Sequence, residues 1–172
     1  MAPKRQNDEA LLDARINANR LEYPEQSLVL VALIASFQPV YFSHAINGLD
    51  WHRLPNLVLY VIITAFTTYM LRQAYAVMVQ SEFWGRQRHF AEVADDKAKP
   101  LRRLRLQVAV GYTLFFLNSV FFVVSTCLMA YIFRHSDPRA SYILSPTLTA
   151  ALLWLIAQKN EETRQRRMRS HK

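Results

Sequence analysis

The chain has 172 residues, 52% of them hydrophobic, with 21 Lys and Arg against 13 Asp and Glu and a net charge of +8. Its mean hydropathy is nevertheless 0.00, so apolar and polar residues must be segregated into separate stretches, unlike the interleaved pattern of an ordinary soluble domain. A single cysteine, Cys127, provides neither a disulfide framework nor a thiolate metal set, and it is expected to be a small packing residue.

Residues 1–26 form a charged N-terminal tail, too polar for the apolar core of a cleavable signal peptide. Asp8, Glu9, Leu11, Leu12, Asp13 and Ile16 fit either a short amphipathic helix or a solvated tail. The first apolar run covers residues 27–46, about the length that crosses a bilayer. Gln38 and Pro39 interrupt its second half, where neighbouring helices can make good a missing backbone bond, so a packing role is expected over a transport site. His44 is expected to be a wetted terminus. An Asn47-Gly48 turn follows, with Trp51 at a position suited to an interfacial aromatic belt.

The second run starts at Pro55 and continues to residue 79, completing a transmembrane hairpin over residues 27–79. It is long enough to span with tilt and emerge into water as helix. Arg72 lies late in it and is expected to snorkel towards the Gln80 side. Residues 80–105 are the one long hydrophilic interruption, expected to extend both flanking helices around a turn near Asp95, Asp96 and Pro100. The third run covers residues 106–133, with Asn118 placed to hydrogen-bond across helices. A loop at 134–141 leads to the fourth run at 142–158, the second hairpin thus being 106–158. Ser145-Pro146 reads as a helix start inside that last run. Small residues four apart, Thr64 with Thr68 and Thr147 with Ala151, permit close helix contact. Residues 159–172 form a basic C-terminal tail. The expected fold is all-α: a polytopic four-helix transmembrane bundle with helical extensions on the cytosolic side.

Orientation follows from the cations. The N-terminal tail (Lys4, Arg5, Arg15, Arg20), the central segment (Arg86, Arg88, Lys97, Lys99, Arg102, Arg103, Arg105) and the C-terminal tail (Lys159, Arg164, Arg166, Arg167, Arg169, Lys172) share one side. Only Arg53, Arg134 and Arg139 fall on the other, so the positive-inside rule places both termini and the central segment in the cytosol. In the central segment Phe83, Trp84 and Phe90 interleave with Arg86, Arg88 and His89. Cations with aromatics can hold phosphates and stack on exposed bases. Juxtamembrane cations also bind anionic membrane lipids, and both partners stay open on composition.

Several stretches carry a resemblance: the opening MAPK with DEALL nearby, AYAVMV at the exit of the second run, TLFFLNSVFFVV in the third, and above all DPRASYILSPTLTAALL. With the layout of spans, they resemble the gamma subunit of the translocon-associated protein complex, also called the signal-sequence receptor complex. The resemblance implies a non-enzymatic four-helix subunit of the endoplasmic reticulum membrane, without a cofactor. It would sit beside the Sec61 protein-conducting channel, anchor the single-span subunits of its complex, and dock the translating ribosome during co-translational translocation. The surface touching ribosomal RNA and protein would be Arg86, Arg88, Lys97, Lys99, Arg102, Arg103 and Arg105. Here the central segment is shorter than the family's and the C-terminal tail longer and more basic, so Arg164, Arg166, Arg167 and Arg169 are expected to take up part of that contact.

The alternative is a small polytopic transporter or channel with ordinary positive-inside loops. It would need ionisable or polar groups converging at mid-membrane, and Arg72, His44 and Asn118 are the candidates. A membrane enzyme would need a nucleophile–base pair, a metal cluster or a phosphate-binding loop, and the sequence carries no motif for one.

Overall fold

The computed structural model describes residues 25–86 and 98–170, with the backbone alone at 98–100, 165 and 167–170. Among these residues the chain is all-α: α1 (Glu25–Asn47), α2 (Leu54–Gly85), α3 (Ala98–Cys127, widening into a π-helical turn over Leu128–Ile132) and α4 (Pro138–Ser170). All four are long and apolar enough to cross a membrane. The chain is a multi-pass membrane protein.

Short connections force alternation. The loops 48–53 and 133–137 lie at one end of the bundle, here the turn end. The start of α1, the end of α2, the start of α3 and the end of α4 gather at the other, the charged end. Consequently α2 and α4 run parallel, and they form the most extensive contact in the molecule. Thr64 meets Tyr142 near the turn end (3.3 Å between hydroxyls), and Ser81 meets Asn160 near the charged end (3.2 Å). Tyr60, Thr64, Thr67, Leu71, Ala74, Met78 and Ser81, all buried, recur at alternating steps of four and three, which is the seam of a helix packed along its length.

The distribution of side chains is that of a lipid-solvated bundle. Leu30, Ile34, Phe37, Val61, Ile62, Phe66, Phe115 and Val123 are exposed, whereas Ser36, Thr64, Thr67, Thr113, Ser125, Ser145 and Thr149 are buried. Lipid tails give apolar side chains no reason to cluster, so close approach and hydrogen bonding decide which face turns inward. Gln38 illustrates this: its amide donates to Thr126 Oγ1 (2.8 Å) and accepts from Ser125 Oγ (3.2 Å), tying α1 to α3. Tyr75 donates to Asn118 Oδ1, tying α2 to α3, and Thr68 donates to Ser36 Oγ (3.1 Å), tying α2 to α1. The expected packing roles of Gln38 and Asn118 are met. Pro39 is buried within α1, which continues through it to Asn47.

Two local expectations are corrected: Cys127, expected as a packing residue, is exposed on α3, and the start of the last helix is displaced. The last helix begins at Pro138, seven residues before Ser145, because Asp137 accepts from Arg139 N (2.8 Å) and its carbonyl accepts from Ser141 N (2.9 Å). Pro146 therefore lies inside α4, where it forgoes one backbone bond. Residues 159–170 of the basic tail continue α4 as helix, one of the helical extensions expected from sequence. Pro100 lies in the first turn of α3, where a missing N–H costs nothing; Asp95 and Asp96, about which the turn was expected, lie outside the described residues.

At the turn end Gly48 takes φ +64°, the left-handed conformation that Asn-Gly signals. The Leu49 carbonyl accepts from Tyr60 OH (3.1 Å) and from His44 Nδ1 (3.1 Å). His44 is thus exposed yet bonded to the loop, more than a wetted terminus.

Candidate anion-binding surface at the charged end

From Leu54 the rise of 1.5 Å per residue puts Arg72 about 27 Å along α2, close to the roughly 30 Å thickness of a hydrocarbon core. There Arg72 pairs with Glu25 at the first residue of α1 (3.0 Å). The guanidinium thus reaches the Gln80 side, as expected. Beyond that level, among the described residues, α2 continues with α3 and α4, and these three helices carry the described cations of the surface.

On α2, Arg86 caps the helix: its backbone N–H reaches the Glu82 carbonyl, its Nε lies 3.2 Å from Glu82 Oε2, and its guanidinium lies over the Tyr112 ring at 5.0 Å. On α3, Arg105 lies over the Phe83 ring at 4.0 Å, with a buried Nε that has no hydrogen-bond partner. Arg102 and Arg103, in the second turn of α3, are exposed. On α4, Arg164 is bonded to Glu161 (Nε to Oε2, 2.9 Å) and half-buried, and Arg166 is exposed. Asn160 fixes this part of α4 to α2 through Ser81 and Met78 Sδ (3.4 Å).

The predicted site residues thus divide. Arg102, Arg103 and Arg166 present their charge outward, whereas Arg86, Arg105 and Arg164 are engaged within the chain. Arg88 and Lys97 lie outside the described residues; Lys99, Arg167 and Arg169 lie on helical backbone. Phe83, read as an aromatic open to an RNA base, is fully buried with Arg105 over its ring. It cannot offer a face to a base. Trp84 is half-buried, with its ring against Phe83 (5.3 Å), while Phe90 and His89 lie outside the described residues.

Glu82, Glu161 and Tyr112 were missed as partners of these cations. The two carboxylates were legible, since Glu82 stands four residues before Arg86 and Glu161 three before Arg164, spacings that meet on a helix. Tyr112 was not, because it faces Arg86 only once α2 and α3 are packed.

The three polar candidates for a transport path do not converge. His44 is at the turn end, Asn118 is held by Tyr75 within the bundle, and Arg72 is paired at the charged end. No protein-family model matches this chain, and no curated protein does. What the geometry offers is a cationic end on a lipid-facing bundle, with three outward arginines on two helices among the described side chains.

Proposed function

We propose that this chain is a non-enzymatic, multi-pass subunit of the translocon-associated complex in the endoplasmic reticulum membrane. It would lie beside the protein-conducting channel, hold single-span partner subunits, and dock the translating ribosome through its charged end. The observation that carries this reading is the gathering of Arg102, Arg103 and Arg166, all exposed, at one end of a four-span bundle. The DPRASYILSPTLTAALL stretch supports it; it comprises the last loop residue, Asp137, and the first half of α4. Phosphate contacts of this kind position a nucleic acid without reading its sequence. The charged end is cytosolic in this reading, by its excess of cations.

The test is a detergent pull-down of the tagged full-length chain from native membranes, in low and high salt. Ribosomal RNA recovered in low salt and lost in high salt, with the channel and single-span subunits retained throughout, is the expected result. Recovery of neither at any salt concentration overturns the proposal.

A further inference from the structure

Arg72, paired with Glu25, marks the edge of the hydrocarbon core at the charged end. Tyr75 lies three residues further out on α2 and is bonded to Asn118, which sets the level of α3 against α2. Counted back from Asn118 at 1.5 Å per residue, Tyr112 stands about 14 Å, Val108 about 20 Å and Leu104 about 26 Å beyond that edge. Headgroups take up about 5–8 Å of this distance. Leu104, Val108 and Tyr112 are exposed and recur every four residues, so one face of α3 carries an apolar stripe out into water. An apolar stripe beyond the lipid is a surface that something covers.

The chain itself supplies an occupant. α1 begins at Glu25, held by Arg72, so residues 1–24, which lie outside the described residues, leave the bundle at the same end as the stripe. Within them Ala10, Leu11, Ala14, Ala18 and Leu21 fall on one arc at helical period, flanked by Asp8 and Asp13. Residues 22–24 can bridge about 10 Å, and a helix over residues 8–21 is about 21 Å long, more than the roughly 12 Å from Leu104 to Tyr112. Residues 8–21 and α3 both lead towards the membrane. A parallel pairing with Leu21 beside Tyr112 therefore brings Asp8 and Asp13 to either side of the level of Arg102 and Arg103.

The charges complement each other with the whole α2–α3 connection counted. From Glu82 to Arg105 there are seven Lys and Arg against four Asp and Glu, whereas residues 8–13 carry Asp8, Glu9 and Asp13 and no cation. Among the described cations there, Arg86 and Arg105 are engaged and Arg102 and Arg103 face outward. Arg102 also repels Arg105, and a carboxylate beside it relieves that repulsion. The connection 87–97 is the rival cover. It has only Phe90 and Val93 as apolar residues larger than alanine, and it is committed to joining the ends of α2 and α3.

We propose that residues 8–21 dock as a helix along the Leu104–Val108–Tyr112 face of α3, with Asp8 and Asp13 beside Arg102 and Arg103. The docking does not rest on the ribosome assignment. Its consequence does: the docked segment and the ribosome compete for the same two arginines.

The experiment uses the full chain in detergent micelles, one chain to a micelle, with C127S removing the native thiol and paired cysteines joined by a short bismaleimide. Ala14 lies on the apolar arc and Gln107 beside the stripe, so A14C/Q107C leaves every larger apolar residue of both faces in place. This pair is expected to cross-link within one chain, and I16C/Q107C, from the opposite side of the segment, is expected to do so far less. Adding D8K/D13K should lower the A14C/Q107C yield about fivefold, the factor for two rim charge pairs. No product from A14C/Q107C overturns the proposal, and so does a product found only between two chains. Equal yields with I16C or with D8K/D13K overturn it as well. Efficient cross-linking of A94C/Q107C in place of A14C/Q107C assigns the stripe to the connection and overturns it too.

Discussion

Gln38 is the most direct test of how α1 is held. Its side chain makes two bonds to α3, at 2.8 Å to Thr126 and 3.2 Å from Ser125, and leucine has nearly its volume without either bond. Interhelical hydrogen bonds in membrane proteins contribute about 0.6 kcal/mol on average, so Gln38→Leu should cost about 1.2 kcal/mol, about an eightfold change in the unfolding equilibrium. Thr126→Val removes one of the two, at about 0.6 kcal/mol, and the double variant should cost less than the sum of the singles. Purified protein in mixed micelles, titrated with a denaturing detergent and followed by tryptophan fluorescence, reads each midpoint. Strict additivity of the two substitutions would refute the bond as a source of stability. A Gln38→Leu variant as stable as the parent would refute the idea that α1 is held to α3 by polar contacts at all.

Four further outcomes are expected. Reversing Arg102 and Arg103 together to Glu should weaken ribosome co-sedimentation and lower its salt slope by about 1–2, whereas reversing Arg164, already bonded to Glu161, should do less. Ala157, fully buried in the α1–α2–α3–α4 core, should tolerate no added bulk: Ala157→Leu is expected to destabilise by about 1–3 kcal/mol in the same detergent titration. Gly48→Ala should cost about 1 kcal/mol from the left-handed backbone alone, since a Cβ there meets no atom within 4 Å, and Gly48→Asn should cost less. An Asn-Xaa-Ser acceptor built into the 134–137 loop should be glycosylated in microsomes, and one placed after residue 170 should not; the reverse pattern would overturn the orientation.

The four spans among the described residues were legible because each is a long apolar run, and Pro55 and Asn47-Gly48 punctuated the first hairpin unambiguously. Ser145-Pro146 misled because Ser-Pro and Asp-Pro signal a helix start equally well. Only the bonds that Asp137 makes to Arg139 and Ser141 choose between them. Which face of each helix is inside was harder to see. A span that is apolar all round has no hydrophobic stripe to read. The alternating steps of Thr64, Thr67, Leu71, Ala74 and Met78 do record the seam, but in small and polar residues, the reverse of the soluble code. At the charged end the cations could be counted from sequence. Arg86 and Arg164 could be paired with Glu82 and Glu161 by spacing, but the engagement of Arg105 with Phe83 and of Arg86 with Tyr112 could not, because each joins two helices.

The parallel seam between α2 and α4 also has a temporal side. The ribosome delivers α2 first, and its partner face arrives more than fifty residues later, after α3 has been made. Until then the first hairpin waits in lipid with half an interface. On α4 the hydroxyls can wait without distress, since Ser145 and Thr149 bond the Ser141 and Ser145 carbonyls one turn back (2.8 and 2.7 Å), whereas Thr67 on α2 is buried without a hydrogen-bond partner. The late-arriving α4 can therefore enter the bilayer with these hydroxyls already satisfied and postpone its choice of neighbour. A chain cut after the first hairpin should insert, remain soluble in the membrane, and capture the second hairpin when that is supplied as a separate polypeptide.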